Sequence, residues 1–207
     1  VGNMKMNLTM EEIKRYINEF SDCKDFIICP SYIYLPYFVE AGFVVGTQNI
    51  SEYGIGSYTG EISVNQISSM GIEYTIIGHS ERREHFFEDD ELINRKLRKS
   101  LSNNIKVILC IGETLQDKVS GKTREKIEEQ LTLDLQNIEE EYFDNIIIAY
   151  EPVWAIGTGK VPKNEDILEI VKFIKQLIHK RYNFIPKVLY GGSANDKNID
   201  ELNDIEK

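Results

Sequence analysis

The sequence predicts an α/β fold built on a parallel sheet, and three observations predict it. Short apolar runs rich in Ile and Val alternate seven times with stretches whose apolar residues recur every three or four positions, the pattern of strands joined by crossover helices. One run, Ile146-Ile147-Ile148-Ala149, is apolar without a break, as in a strand covered on both faces. The length of 207 residues, 42% of them hydrophobic, suits one well-buried core and is short for two ordinary α/β domains. A single domain over 1–207 is therefore expected. Alternation alone leaves a doubly wound open sheet in competition with a barrel.

Taken in order, residues 1–6 read as the end of a strand, with Asn3 and Lys5 on one face and Met4 and Met6 on the other. Thr9 and Glu12 fit a capping box, and Ile13, Tyr16, Ile17 and Phe20 then recur at helical spacing. Residues 26–29 form a second strand, 35–41 a short helix closed by Gly42, and 43–48 a third strand. Residues 50–60 carry Gly54, Gly56 and Gly60 with no apolar period, which predicts a loop of about a dozen residues, a length usually functional or disordered in a compact domain. Ser63 and Gln66 fit another capping box, opening a helix through Met70 that stops at Gly71. The fourth strand is 74–78, with His79 and Ser80 at its end. A helix over 90–101 turns Ile93, Leu97 and Leu101 to one face, and 105–111 is the fifth strand. A helix over 123–138 uses Ile127, Leu131, Leu135 and Ile138. The strand at 146–149 follows. Asn164 is expected to cap a long helix with Ile167, Ile170, Val171, Ile174, Leu177 and Ile178 inward. Residues 187–190 form the seventh strand, and Asn195 begins a short helix through Leu202.

Composition narrows the function. Three cysteines, with no close-spaced pair and no His partner at zinc-finger spacing, predict neither a disulfide framework nor a metal site. A net charge of −10, with no basic stripe to offset it, argues against nucleic acid and anionic membrane surfaces as partners. There is no apolar run of membrane-spanning length, and a cytoplasmic location is expected.

The strand at 146–149 leads into Tyr150-Glu151-Pro152 and then into Trp154 and the small tip Ala155-Ile156-Gly157-Thr158-Gly159, ahead of Lys160. Chemistry in parallel α/β sheets sits at the carboxyl ends of strands, so Glu151 is aimed at a site and the segment after it reads as a lid with stiff ends. As a phosphate-cradling G-x-x-x-x-G-K-[ST] loop the segment fails twice: Trp154 stands at the first Gly and Val161 at the Ser or Thr.

Four stretches, AYEPVWAIGTGK at 149–160, GNMKMN at 2–7, IIGHSERR at 76–83 and YGGSA at 190–194, occur in the order found in the triosephosphate isomerase family, which the chain resembles over its whole length. Weaker echoes are TQN at 47–49, YTGEIS at 58–63 and CIGE at 110–113. The resemblance implies a (β/α)8 barrel, here with seven strand–helix units, the start of strand one and the eighth strand and helix being absent. It implies an isomerase that interconverts dihydroxyacetone phosphate and glyceraldehyde 3-phosphate through an enediol, without cofactor or metal. Glu151 would be the base and His79 a neutral electrophile, since the positive end of a helix disfavours a second positive charge; that pairing is the family's own known chemistry and not something the spacing shows. Lys5 would be a fixed cation near phosphate and enolate, Asn3 would position it, and Gly157 and Ser193 would offer backbone amides to the phosphate. Glu81 would hold Lys5 or shuttle protons, and Cys110 and Glu113 would pack near the site. The family's interdigitating loop matches 50–60, so a homodimer is expected. Met4 and Ala194 depart from the family's usual tryptophan and valine.

Overall fold

The computed structural model describes residues 1–156 and 162–192. Seven strands follow one another in the sheet in chain order, and every registered pair is parallel. They are β1 (Gly2–Asn3), β2 (Ile27–Cys29), β3 (Val44–Thr47), β4 (Tyr74–Ile77), β5 (Lys106–Ile111), β6 (Ile146–Tyr150) and β7 (Lys187–Tyr190). The α-helices among the described residues are α1 (Met10–Glu19), α2 (Leu35–Glu40), α3 (Val64–Ser69), α4 (Ser80–His85), α5 (Asp90–Leu101), α6 (Leu115–Val119), α7 (Thr123–Asp134) and α8 (Asn164–Tyr182). The expected short helix from Asn195 lies outside the described residues.

The chain divides into two compact units. The first takes Val1–Ile77 and Arg95–Ile108. Its core joins Ile13 of α1 and Phe38 of α2 to Ile28 and Val45 on the sheet, with Phe38 edge-on to Phe43 at 5.4 Å. Period and capping decide the helices here: Thr9 with Glu12, and Ser63 with Gln66, each close a reciprocal capping box as the sequence predicts. The buried hydroxyls of Thr47 and Thr75 pair across β3 and β4 at 2.8 Å, so the polar ends of two apolar strands are satisfied without water.

The second unit takes Gly78–Asn94 and the described residues from Leu109 onward. Here Ile127 and Leu131 of α7, Ile174 and Ile178 of α8, and Phe143 are buried, and Phe143 lies between the rings of Tyr182 and Phe184. Ion pairs Arg124–Glu169 and Arg181–Glu128 link the outer faces of α7 and α8.

Four local expectations are corrected. The first strand ends at Asn3, because Lys5 takes φ 50°, a left-handed conformation that breaks the two-residue alternation. Helix α7 stops at Asp134 and does not reach Ile138, the chain turning through Asn137 at φ 57°. Lys163, in extended conformation, caps α8, and Asn164 is its first helical residue. Helix α6, not expected, opens on a capping box of Thr114 and Asp117.

Candidate active site

In the second unit, two chain features bring Glu151 and His79 together. Glu151 directly follows β6, and its backbone N–H donates to the Ile111 carbonyl at 2.8 Å, locking it beside the end of β5. Gly112 allows that approach, since a Cβ there would lie 1.7 Å from the Glu151 carbonyl oxygen. Gly191 permits the other flank, where a Cβ would lie 2.7 Å from Glu151 Cγ. Both glycines are required by space and not by dihedral angle.

The Glu151 carboxylate is 5% exposed. Its Oε2 accepts the Ser80 backbone N–H at 3.2 Å, and its Oε1 stands 3.4 Å from His79 Nε2. His79, 7% exposed, is the N-cap of α4, and its Nδ1 accepts the Glu81 backbone N–H at 3.2 Å. A nitrogen that accepts a hydrogen bond carries no proton, so this contact is the one made by the tautomer with its proton on Nε2, the nitrogen nearest the carboxylate. Glu81 Oε2 also lies 3.7 Å from Nδ1. A buried carboxylate and an imidazole stand side by side at two strand ends, an arrangement that can remove a proton beside a carbonyl whose oxygen is held.

Behind Glu151, Glu113 is 1% exposed and accepts from the Trp154 indole N–H at 2.8 Å and the Tyr150 hydroxyl at 3.1 Å. Burial raises the Glu113 carboxyl above its ordinary range, and the two donors pull it partly back. Burial, and then the Glu113 charge, push the Tyr150 phenol upward, so it stays a donor. Trp154, at the head of the segment expected to be a lid, is also stacked by the Lys118 ammonium 3.8 Å from its ring centroid. Residues 157–160 of that segment, Gly157 among them, and Ser193, expected to bind the phosphate, lie outside the described residues.

In the first unit, Asn3 and Lys5 form a separate device. Asn3 Oδ1 accepts the Lys5 backbone N–H at 2.9 Å, and the Lys5 carbonyl accepts from Ser31 Oγ at 3.2 Å and Gln48 Nε2 at 2.8 Å. Gln48 also donates to the Cys29 carbonyl. These grips hold a non-glycine residue in a left-handed conformation that it would not choose alone.

Sequence reasoning missed a buried cluster in the second unit. Arg83 of α4 donates through Nη2 to Asp134 of α7 at 2.9 Å and through Nη1 to Asp90 of α5. Asp134 is fully buried, and one of its oxygens has no partner. Burial, against the pull of Arg83 and with the push of Asp90, raises the Asp134 carboxyl well above its ordinary range. For Arg83, burial opposes the charge but the two carboxylates outweigh it. One guanidinium cannot neutralise two carboxylates, and the fully buried member holds the proton more firmly. The signal was in the spacing: position 134 is seven residues past Ile127, on the apolar face of α7.

Among the described residues, no group of three His, Cys, Asp or Glu side chains is placed to hold a metal ion, and no helix is long and apolar enough to cross a membrane.

The triosephosphate isomerase family model matches residues 1–207. The chain is similar to the triosephosphate isomerases of Finegoldia magna, at 41% identity over 96% of this chain and 84% of the relative, and of Zygosaccharomyces bailii, at 41% over 95% and 84%. With that of Alkaliphilus metalliredigens it shares 37% identity over 97% of this chain and 86% of the relative.

Proposed function

The chain belongs to the triosephosphate isomerase family and is an α/β-barrel isomerase, and on that premise we propose that it interconverts dihydroxyacetone phosphate and glyceraldehyde 3-phosphate in the cytoplasm with Glu151 as the base. The observation that carries the reading is the buried Glu151 carboxylate 3.4 Å from His79 Nε2, with Nδ1 turned to the Glu81 amide, which supports a neutral ring that donates from Nε2. Glu151 takes a proton from the hydroxyl-bearing carbon beside the carbonyl. The C–H electron pair becomes the carbon–carbon double bond, and the carbonyl pair moves onto oxygen. His79 Nε2–H donates to that oxygen as its charge grows, a bond worth more in the transition state than in the ground state. Glu151, now a carboxylic acid, returns the proton to the neighbouring carbon, while the proton on the hydroxyl oxygen moves to the other oxygen through His79.

Lys5 supplies a cation to phosphate and enolate, with Asn3 holding its backbone and Glu81 supporting it. The amides of Gly157 and Ser193 bind the phosphate, and residues 152–160 close over the enediol so that it does not lose its phosphate to water. The working form is a homodimer through loop 50–60, in which Tyr53 stacks on Tyr58 at 4.2 Å, Ile55 is 82% exposed, and residues 54–59 help to line a cavity of about 390 Å³.

A coupled isomerase assay tests the activity, and Glu151→Asp tests the base. Shortening the arm by one methylene retracts the carboxylate by more than 1 Å, and a misplacement of that size lowers the rate on the order of 100-fold. Exchange of the substrate proton with solvent should slow in step. Turnover by Glu151→Asp at the unmodified rate would remove Glu151 from the role.

A further inference from the structure

We propose that Arg83 is a positioning residue for His79, gripping the peptide group that joins Gly78 to His79 and thereby setting where the imidazole stands. The proposal rests on the role given to His79 above. Arg83 Nε donates to the Gly78 carbonyl at 2.8 Å, and Nη2 donates to the Cys110 carbonyl at 3.2 Å as well as to Asp134. A guanidinium that served only as the counter-charge of two carboxylates would not need to present Nε to a strand-end carbonyl.

The geometry makes the grip directional. The fork is planar and rigid, and Asp90 and Asp134, carried by α5 and α7, fix two of its nitrogens. With those fixed, Nε has one place to point, and the Gly78 carbonyl follows it. Gly78 itself is held at φ 76°, and a Cβ there would lie 3.0 Å from the Cys110 carbonyl oxygen and 3.1 Å from Arg83 Nη2. On the far side of His79, its own carbonyl accepts the backbone N–H groups of Arg82 at 2.8 Å and Arg83 at 3.1 Å. The peptide groups before and after the His79 Cα are thus both held, the first by the Arg83 side chain and the second by the first turn of α4. Fixing both planes fixes φ and ψ of His79 and hence the root of its side chain. The Glu81 amide on Nδ1 then sets the ring, and Nε2 comes to rest beside Glu151. Lysine in place of Arg83 would preserve a positive charge for Asp90 and Asp134 but has no fork with which to aim a donor at Gly78.

The test is the double variant Arg83→Met/Asp134→Leu, which removes the guanidinium and its fully buried partner together and leaves only the less buried Asp90 without its partner. Two readouts are taken on the full-length chain: kcat against KM in the coupled assay, and the imidazole 15N shifts of His79, which report the tautomer. The expected result is a cooperatively melting protein whose kcat is about 30- to 100-fold lower, from misplacement on the order of 1 Å, with KM within about twofold. Its His79 shifts should move from a single Nε2–H tautomer to a mixture. Should the double variant fail to fold, Arg83→Lys is judged by the same two criteria. A folded variant with kcat within about threefold of the parent, or with unchanged His79 shifts, overturns the proposal. If the parent chain itself shows no isomerase turnover, the function proposed above is what fails, and the 15N shifts alone decide whether Arg83 positions His79.

Discussion

Gly112→Ala is the substitution whose effect follows most directly from the coordinates. The added methyl carbon would stand 1.7 Å from the Glu151 carbonyl oxygen and 2.6 Å from its carbonyl carbon. Both are backbone atoms, so no rotamer change relieves the clash. Parting the ends of β5 and β6 by about 1.3 Å is the least that brings the contact to a separation real Cβ atoms tolerate. That movement strains the 2.8 Å bond from the Glu151 N–H to the Ile111 carbonyl and carries the Glu151 carboxylate, the proposed base, with it. Overpacking of this kind costs about 1 to 3 kcal/mol of stability, and a misplacement of about 1 Å lowers the rate on the order of 100-fold. The assay is kcat by coupled turnover, with a thermal melt to show that the variant folds. Gly191→Ala is the comparison: its methyl would lie 2.7 Å from Glu151 Cγ, so it displaces the Glu151 side chain without parting the two strands, and the loss of rate should come without the loss of stability. A folded Gly112→Ala protein with kcat within about threefold of the parent would refute the reasoning, because the position of the Glu151 backbone would then not govern the rate.

Two further outcomes are expected. Asp134→Asn keeps an acceptor for Arg83 Nη2 but cannot ionise; because the folded carboxyl is raised, the native state of the parent binds its proton more tightly than the unfolded chain does, and parent stability falls as pH rises from about 3.8 through the raised value. The variant lacks that fall, so its melting temperature should gain on the parent's as the pH is raised from about 3.8; a difference independent of pH would show that Asp134 does not titrate in this way. Ile55→Asp, placed on the exposed tip of loop 50–60, should convert a dimer to monomer at micromolar concentration by analytical ultracentrifugation, whereas a parent that sediments only as monomer removes the dimer.

The regular elements were legible because each carries its own local signal. The apolar runs of β2 to β7 and the stripe of Ile167, Ile170, Ile174 and Ile178 are patterns that burial alone demands, and the boxes at Thr9 and Ser63 mark starts that satisfy orphan amides. Helix α6 escaped because five residues make too little of a turn pattern to show a period, although Thr114 and Asp117 have box spacing. Lys5 escaped for a different reason. Nothing in a lysine favours φ 50°; Asn3, Ser31 and Gln48, spread along 45 residues, impose it together. At the site, motif resemblance singled out His79 and Glu151, but the tautomer of His79 depends on one amide, that of Glu81, and could be read only from geometry. Arg83 was visible as part of a motif and Asp134 as a position on a stripe, yet their pairing spans 51 residues of chain.

The strand order has a consequence for how the protein comes into being. Each registered strand pairs with the one made just before it, across 26 residues from Gly2 to Ile28, 17 from Ile27 to Val44, 28 from Gly46 to Tyr74 and 40 from Ile147 to Lys187. Closing the longest of these loops costs only about 0.8 kcal/mol more than closing the shortest, because the entropy grows with the logarithm of length. No registered pairing waits for a segment at the far end of the chain. At synthesis rates of about 5 to 20 residues per second, each strand has seconds in which its predecessor is the only neighbour to meet, so the order of translation is also an order of assembly.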